Sequence, residues 1–129
     1  MTASERAPVT YPRLEAPGFG RLRVEAEEWD RDLYVRADGK VKARDKKLAK
    51  AVYGTSHTIG PAELEKVCKK GARTLVIGSG YAGVARLSPE GWAYLQERGI
   101  AVRVLPTPEA VEEYLRTPGP KAILVHVTC

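Results

Sequence analysis

From Gly60 to the last residue the chain alternates between helical and extended patterning, and that alternation restricts the fold more than any other feature. Gly60-Pro61 opens a helical pattern carried by Leu64, Val67 and Cys68, which stops at Gly71. Thr74-Leu75-Val76-Ile77 is short and apolar after its first residue, as strands covered on both faces are. Ser88-Pro89 joins an N-cap residue to a first-turn proline and starts a helix with Trp92 and Leu95 directed inward and Gly99 as its stop. Residues 100–105 form the next strand. Thr107-Pro108 repeats the cap and proline before a helix through Val111, Tyr114 and Leu115, ended by Pro118-Gly119-Pro120, and residues 122–127 close the chain as a strand. Strand and helix alternating through short links predict a parallel βαβαβ unit with right-handed crossovers.

The first third has a different character. Phe19-Gly20-Arg21-Leu22-Arg23-Val24-Glu25 alternates apolar and charged positions, as a half-buried strand does, and Asp32-Leu33-Tyr34-Val35-Arg36 is a second strand. Asp38-Gly39 is a tight-turn pair, after which Lys40-Val41-Lys42-Ala43-Arg44 resumes the alternation. These segments predict antiparallel pairing. Residues 1–14, with Pro8 and Pro12 and little periodicity, read as a flexible tail, and residues 15–129 as one domain, since 129 residues suit a single core. The expected fold class is α/β: a mixed sheet with a C-terminal parallel βαβαβ unit and N-terminal antiparallel strands, its helices packed on the sheet.

With 43% hydrophobic and 29% charged residues the chain has a globular composition. No apolar run reaches the roughly 18–20 residues of a membrane span, and the N-terminal stretch lacks an apolar signal core, so a cytoplasmic protein without membrane association is expected. Asn is absent, Gln occurs once and Met only at position 1; heat adaptation and a GC-rich genome both produce such a bias. Two cysteines, Cys68 and Cys129, make no disulfide framework, and Cys68 on its helical face serves as a small apolar filler.

The C-terminal ends of parallel strands lie on one edge, where open α/β sheets bind ligands. Here that edge gathers Gly78, Ser79, Gly80, Tyr81 and Gly83, the helix start at Thr107, and Thr128-Cys129. A helix N-terminus adds free N–H groups and a positive dipole end, so these residues are candidates for a small-anion or carboxylate pocket. The loop matches G-x-G-x-x-G, but the following helix is capped only at Ser88 and no acid follows the next strand, so a dinucleotide site is not expected. The other reading of the glycines is a tight bend after a buried strand. No cofactor is expected. His57, His126 and Cys129 are the residue types a nucleophile-and-base arrangement would use, but a C-terminal carboxylate beside the Cys129 sulfur opposes its activation, and a packed strand end is the favoured reading of that residue. His126 and Cys129 alternate to opposite sides of an extended segment, so no metal site is expected. Lys40, Lys42, Arg44, Lys46, Lys47 and Lys50 form a basic run; with a net charge of +5 it reads as a solvated surface attractive to anions. Nucleic acid is not the expected partner, because aromatic residues for base stacking are missing and Tyr53 is the nearest.

Several segments together resemble one family: Phe19-Gly20, Asp38-Gly39, Gly54-Thr55-Ser56-His57, Val76-Ile77-Gly78-Ser79-Gly80, Val104-Leu105-Pro106-Thr107-Pro108-Glu109-Ala110-Val111 and the closing His126-Val127-Thr128-Cys129. From about Tyr11 onward the chain resembles the MTH-type domain family, which includes the adipogenesis-associated domain protein and a mitochondrial complex I assembly factor. The resemblance implies a compact α/β domain with a mixed sheet, no established reaction, and assembly or regulatory roles among eukaryotic relatives. One departure is Tyr114-Leu115, where the family commonly has asparagine after the tyrosine. The leading expectation is a non-enzymatic binding or assembly module acting on a protein partner or a small anion, self-association included. The alternative is an enzyme using the glycine loop as an oxyanion or phosphate site.

Overall fold

In the computed structural model, which describes residues 9–128, the chain runs through ten strands and four helices. In order these are β1 (Leu14–Gly18), β2 (Arg21–Val24), β3 (Glu27–Trp29), β4 (Leu33–Val35), β5 (Val41–Ala43), α1 (Lys47–Tyr53), β6 (Thr58–Ile59), α2 (Pro61–Cys68), β7 (Thr74–Gly78), β8 (Arg86–Leu87), α3 (Pro89–Glu97), β9 (Ala101–Leu105), α4 (Thr107–Arg116) and β10 (Lys121–Val125).

The two most apolar runs become the centre of the main sheet, whose order is β5-β4-β10-β7-β9. β10 and β7 lie side by side and parallel, with Ile123 opposite Val76, and β9 pairs in parallel with the other side of β7. β7-α3-β9-α4-β10 is therefore the expected parallel unit. β4 joins β10 antiparallel and β5 joins β4 antiparallel, which makes the sheet mixed. Because side chains of a strand alternate between faces, β7 and β10 feed two cores. Val76, Ile123 and Val125 pack with Val111 and Tyr114 of α4 and with Leu14, Leu22 and Val24 of the N-terminal strands. Leu75, Ile77, Ala122 and Leu124 pack with Leu64 and Val67 of α2 and Leu95 of α3. Each fully buried Val, Leu or Ile side chain among these contributes about 1.5–3 kcal/mol.

The N-terminal third is antiparallel as expected, but it is divided. β1-β2-β3 form a sheet of their own, while β4 and β5 extend the main sheet. Phe19 and Gly20, read from the sequence as strand, make the turn between β1 and β2, with Gly20 at φ +81°. Alternation alone does not show where a strand reverses. The expected tail over residues 1–14 falls partly outside the described residues. Within them, Leu14 is buried at the start of β1 and Tyr11 donates its hydroxyl proton to the carbonyl of Ala37 at 2.8 Å. The helix α1 was not foreseen; it is short, and its Lys47 and Lys50 continue the basic run that precedes it.

Candidate functional site

Ser88 caps α3 as its sequence indicates, its hydroxyl accepting from the N–H of Gly91 at 2.9 Å. Thr107 does not cap α4. The residue before it, Pro106, occupies the cap position, and the Thr107 hydroxyl turns into the sheet edge instead. It donates to the carbonyl of His126 at 2.6 Å and accepts from the N–H of Gly80 at 3.0 Å. Gly78 permits this approach, since a Cβ there would stand 3.1 Å from the Thr107 oxygen. At Gly80, φ of +98° requires glycine for the bend itself.

The fold thus brings Gly78, Ser79, Gly80 and Thr107 together at the C-terminal ends of β7 and β9. Their donors, however, bond one another. The N–H groups of Ser79, Tyr81, Gly83 and Thr107 reach the carbonyls of Leu105, Thr128, Gly80 and Gly80 respectively. The Ser79 hydroxyl donates to Leu105 O at 3.0 Å. Gly78, Ser79 and Gly80 are buried, and only the segment from Tyr81 to Val84 reaches solvent. Phe19, at the β1–β2 turn, joins it there. It is 66% exposed and its ring lies 6.2 Å from that of Tyr81, whose hydroxyl donates to Arg21 O at 3.0 Å.

Behind this edge lies a charge network that sequence reasoning missed. Arg44 was read as part of the basic surface; its side chain is instead 0% exposed. β5 ends at Ala43, and the N–H of Arg44 donates to Asp32 O, which turns the residue inward. All five guanidinium N–H groups find acceptors. They reach both oxygens of Glu63, Asp32 Oδ2 at 3.1 Å, Ser56 O at 2.7 Å and His126 Nε2 at 2.7 Å. Asp32 also accepts from the N–H of Val127 at 2.9 Å, and Lys46 Nζ lies 3.8 Å from it. One saturated cation therefore ties the residue before β4, α2, the segment before β6 and the residue after β10, and has no donor left for an external anion. The one sign available in the sequence is that this position is Arg among lysines, and Arg is the cation suited to a fixed, forked, buried pair. The lysines remain outward: Lys40, Lys42, Lys47 and Lys50 are exposed and Lys46 half-buried.

His126 is 1% exposed. Its Nδ1–H faces Gly78 O at 3.2 Å, which leaves Nε2 as the acceptor for Arg44. Burial first, then the adjacent Arg44 charge, push it from 6.5 down to about 4. His57 lies apart and half-buried, and its ring makes no hydrogen bond among the described residues. Cys129 lies outside the described residues. Burial pushes the Cys68 thiol up to about 12, as suits a packing residue. Among the described residues no group of three or more His, Cys, Asp and Glu side chains is placed to hold a metal.

The state of His126 has a consequence for stability. The folded chain refuses a proton that the unfolded chain binds below pH 6.5. Stability from this group is therefore full above pH 6.5 and is lost as pH falls towards 4, by roughly 3 kcal/mol in all. Urea unfolding of the parent and of His126→Gln, whose amide oxygen still accepts from Arg44, should diverge in slope across that window. Parallel pH profiles would show that His126 does not titrate on unfolding.

Solved structures with this architecture are known. The conserved hypothetical protein PH1505 from Pyrococcus horikoshii OT3 is 31% identical, with 90% of this chain and 98% of that one covered and a TM-score of 0.81. A protein named MT938 is 29% identical, covering 92% of this chain and 99% of its own, with a TM-score of 0.78. An outer membrane protein from Bartonella henselae, 18% identical over 92% of this chain and 97% of its own with a TM-score of 0.72, shares the fold. In the chain described here no helix among the described residues is long and apolar enough to cross a membrane. Residues 14–117 match the family model described as protein of unknown function (DUF498/DUF598), in keeping with the resemblance to a family without an established reaction. With most of its length inside that match, the chain belongs to the DUF498/DUF598 family of proteins of unknown function.

Proposed function

We propose that the chain is a non-enzymatic docking module that receives a partner protein on the edge formed by residues 81–84 and the β1–β2 turn. The observation that carries this is the exposed Phe19 ring against the half-buried Tyr81, with Val84 also exposed on a loop whose Ser79, Gly80, Tyr81 and Gly83 N–H groups are bonded internally. Aromatic side chains held in place from behind lose little conformational entropy on binding and serve as anchors. Tyr81 is held by its bond to Arg21 O. The titratable groups that an enzyme would use at this edge point the same way: His126 is enclosed and neutral at physiological pH, and its accepting nitrogen is occupied by Arg44.

A photo-crosslinking residue at Phe19, compared with one at Glu65 on the exposed side of α2, tests this in cells of the source organism. A protein adduct formed from position 19 alone, and lost from the Val84→Asp background, is the expected result. Identical adducts from both positions would refute the proposal. A small anion is the other occupant the sequence suggests, and an amide-shift titration with inorganic phosphate separates the two. Shifts clustered on residues 78–83 and 107–110 would replace the protein partner by an anion; the internal engagement of those donors leads us to expect none.

A further inference from the structure

β9 closes one side of the main sheet, and among the described residues β7 is its sole strand neighbour. Ala101 N–H donates to Arg73 O at 3.0 Å, and Leu105 O accepts from Ser79 N–H at 2.8 Å. Alternate residues from Ala101 to Leu105 therefore spend their backbone bonds on β7. Val102 and Val104 turn their N–H and C=O groups to the open side, where none of the four has a hydrogen-bond partner among the described residues. Their side chains, with that of Ile100, pack against the core under α2 and α3. On that face the edge borders a hollow of about 260 Å³ lined by Trp92, Leu95, Gln96, Ile100 and Val102. Trp92, expected inside from its helical spacing, is 50% exposed. On the other face Arg103 is exposed, its guanidinium 3.7 Å from Glu113 of α4.

We propose that two copies of this chain join along β9, antiparallel about a two-fold axis at Val102, into one continuous sheet. Unpaired strand groups are met by the backbone of another strand, and a two-fold contact closes after two copies. The residues of the strand choose the register. Centred on Arg103, pairing would set the two Arg103 side chains directly opposite each other, a repulsive contact. Centred on Val104, it would set Val102 opposite the partner's Pro106, which has no N–H and whose carbonyl already accepts from Ala110. Centred on Ile100, it would need an N–H that is already bonded to Leu95 O. Centred on Val102, that residue exchanges both bonds with the partner's Val102, and Val104 N–H reaches the carbonyl of the partner's Ile100. Arg103 then stands opposite the partner's Ala101 and keeps Glu113, while on the α3 face Val104 meets the partner's Ile100. The strand that fits this edge is apolar towards α3 and small and uncharged opposite Arg103, and β9 is itself such a strand. β5, at the far edge, has three residues with Lys42 exposed, and a β9–β5 contact would not close. The residues involved are separate from Phe19, Tyr81 and Val84, and the inference does not depend on docking at that edge.

Sedimentation velocity of the full chain over a concentration series tests this, with substitutions at Ala101, which is exposed. The parent should dimerise reversibly at micromolar concentration. Ala101→Glu sets a carboxylate against the partner's Arg103 twice in each dimer and should lower Kd about fivefold at low ionic strength. Ala101→Arg should raise Kd by about as much, and both effects should fade in high salt. Val102→Pro removes an N–H that no bond within the chain uses and should sediment as a monomer. Thermal melts establish that each variant is folded, and the Ala101 variants carry the test by themselves where Val102→Pro does not fold. Phe19→Ser/Val84→Asp should dimerise like the parent. A parent that stays monomeric at the highest concentration, or a dimer with the same Kd in Ala101→Glu and Ala101→Arg, would overturn the proposal. Dissociation in Phe19→Ser/Val84→Asp alone would overturn it and make a second copy the occupant of the glycine-loop edge. A monomer crosslinked in cells from position 101 to another protein would give the edge to a foreign strand and equally overturn it.

Discussion

Arg44→Met is expected to cost about 3–5 kcal/mol of folding stability, because it removes the buried cation from a site that keeps two carboxylates and leaves only the half-exposed Lys46, 3.8 Å from Asp32. Methionine approximates the length of the arginine stem, so lost packing is small and the effect is electrostatic. Asp32 and Glu63 would be left buried without their partner, and Ser56 O and His126 Nε2 would lose their donor. Domains of this size are stable by only about 5–15 kcal/mol, so the thermal midpoint should fall by roughly 10–20 °C. Neutralising one acid in the same background, as in Arg44→Met/Glu63→Gln, should recover part of the loss. Lys47→Met, on the exposed side of the same basic run, should change stability by no more than about 0.5 kcal/mol. Urea unfolding of the four proteins measures all of this. If Arg44→Met and Lys47→Met came out alike, the network would not be holding the fold.

The second large effect belongs to Thr107→Val. The two side chains have nearly the same shape, so the substitution removes a hydroxyl and little else. That hydroxyl is the donor to His126 O and the acceptor for Gly80 N–H, both buried where water does not replace it. An unsatisfied buried polar group costs about 1–3 kcal/mol, so two of them make the expected loss about 2–6 kcal/mol. Thr107→Ser keeps the hydroxyl and should stay within about 1.5 kcal/mol of the parent, the cost of a missing methyl group. Hydrogen exchange gives the local reading: the amide of Gly80 should lose protection in Thr107→Val and keep it in Thr107→Ser. A serine variant as damaged as the valine variant would show that the methyl group matters and the hydroxyl does not.

Thr107 also shows where reading a sequence stops. A threonine before proline at the start of a helical pattern has the residue types of an N-cap, and the helix does begin there. What the local pattern cannot contain is the carbonyl of His126 and the amide of Gly80, which arrive from β10 and the loop after β7 and compete for the same hydroxyl. The glycine loop was legible as a bend at the sheet edge for a similar reason: positive φ at Gly80 is a backbone requirement and is local. Whether its N–H groups face solvent or one another is not local. The tight engagement of that loop is what moves the candidate site outward, from Ser79 and Thr107 to Phe19, Tyr81 and Val84.

The sequence by itself determined the elements whose causes lie within a few residues. Apolar runs too uniform to face water had to become the central strands β7 and β10, glycine and proline punctuation had to stop the helices between them, and short links had to make that unit parallel. The pairing of β4 with β10, which joins the N-terminal third to the main sheet, was decided only by the tertiary structure. So was the burial of Arg44, since a charged residue at the end of a short strand satisfies local alternation on either face. Its side chain turns inward because Asp32, Glu63 and His126, from three separate elements, supply there the acceptors that offset its desolvation. Periodicity and punctuation act over a turn or a strand. A buried ion network acts between segments up to 95 positions apart, and only the assembled fold brings its members within reach.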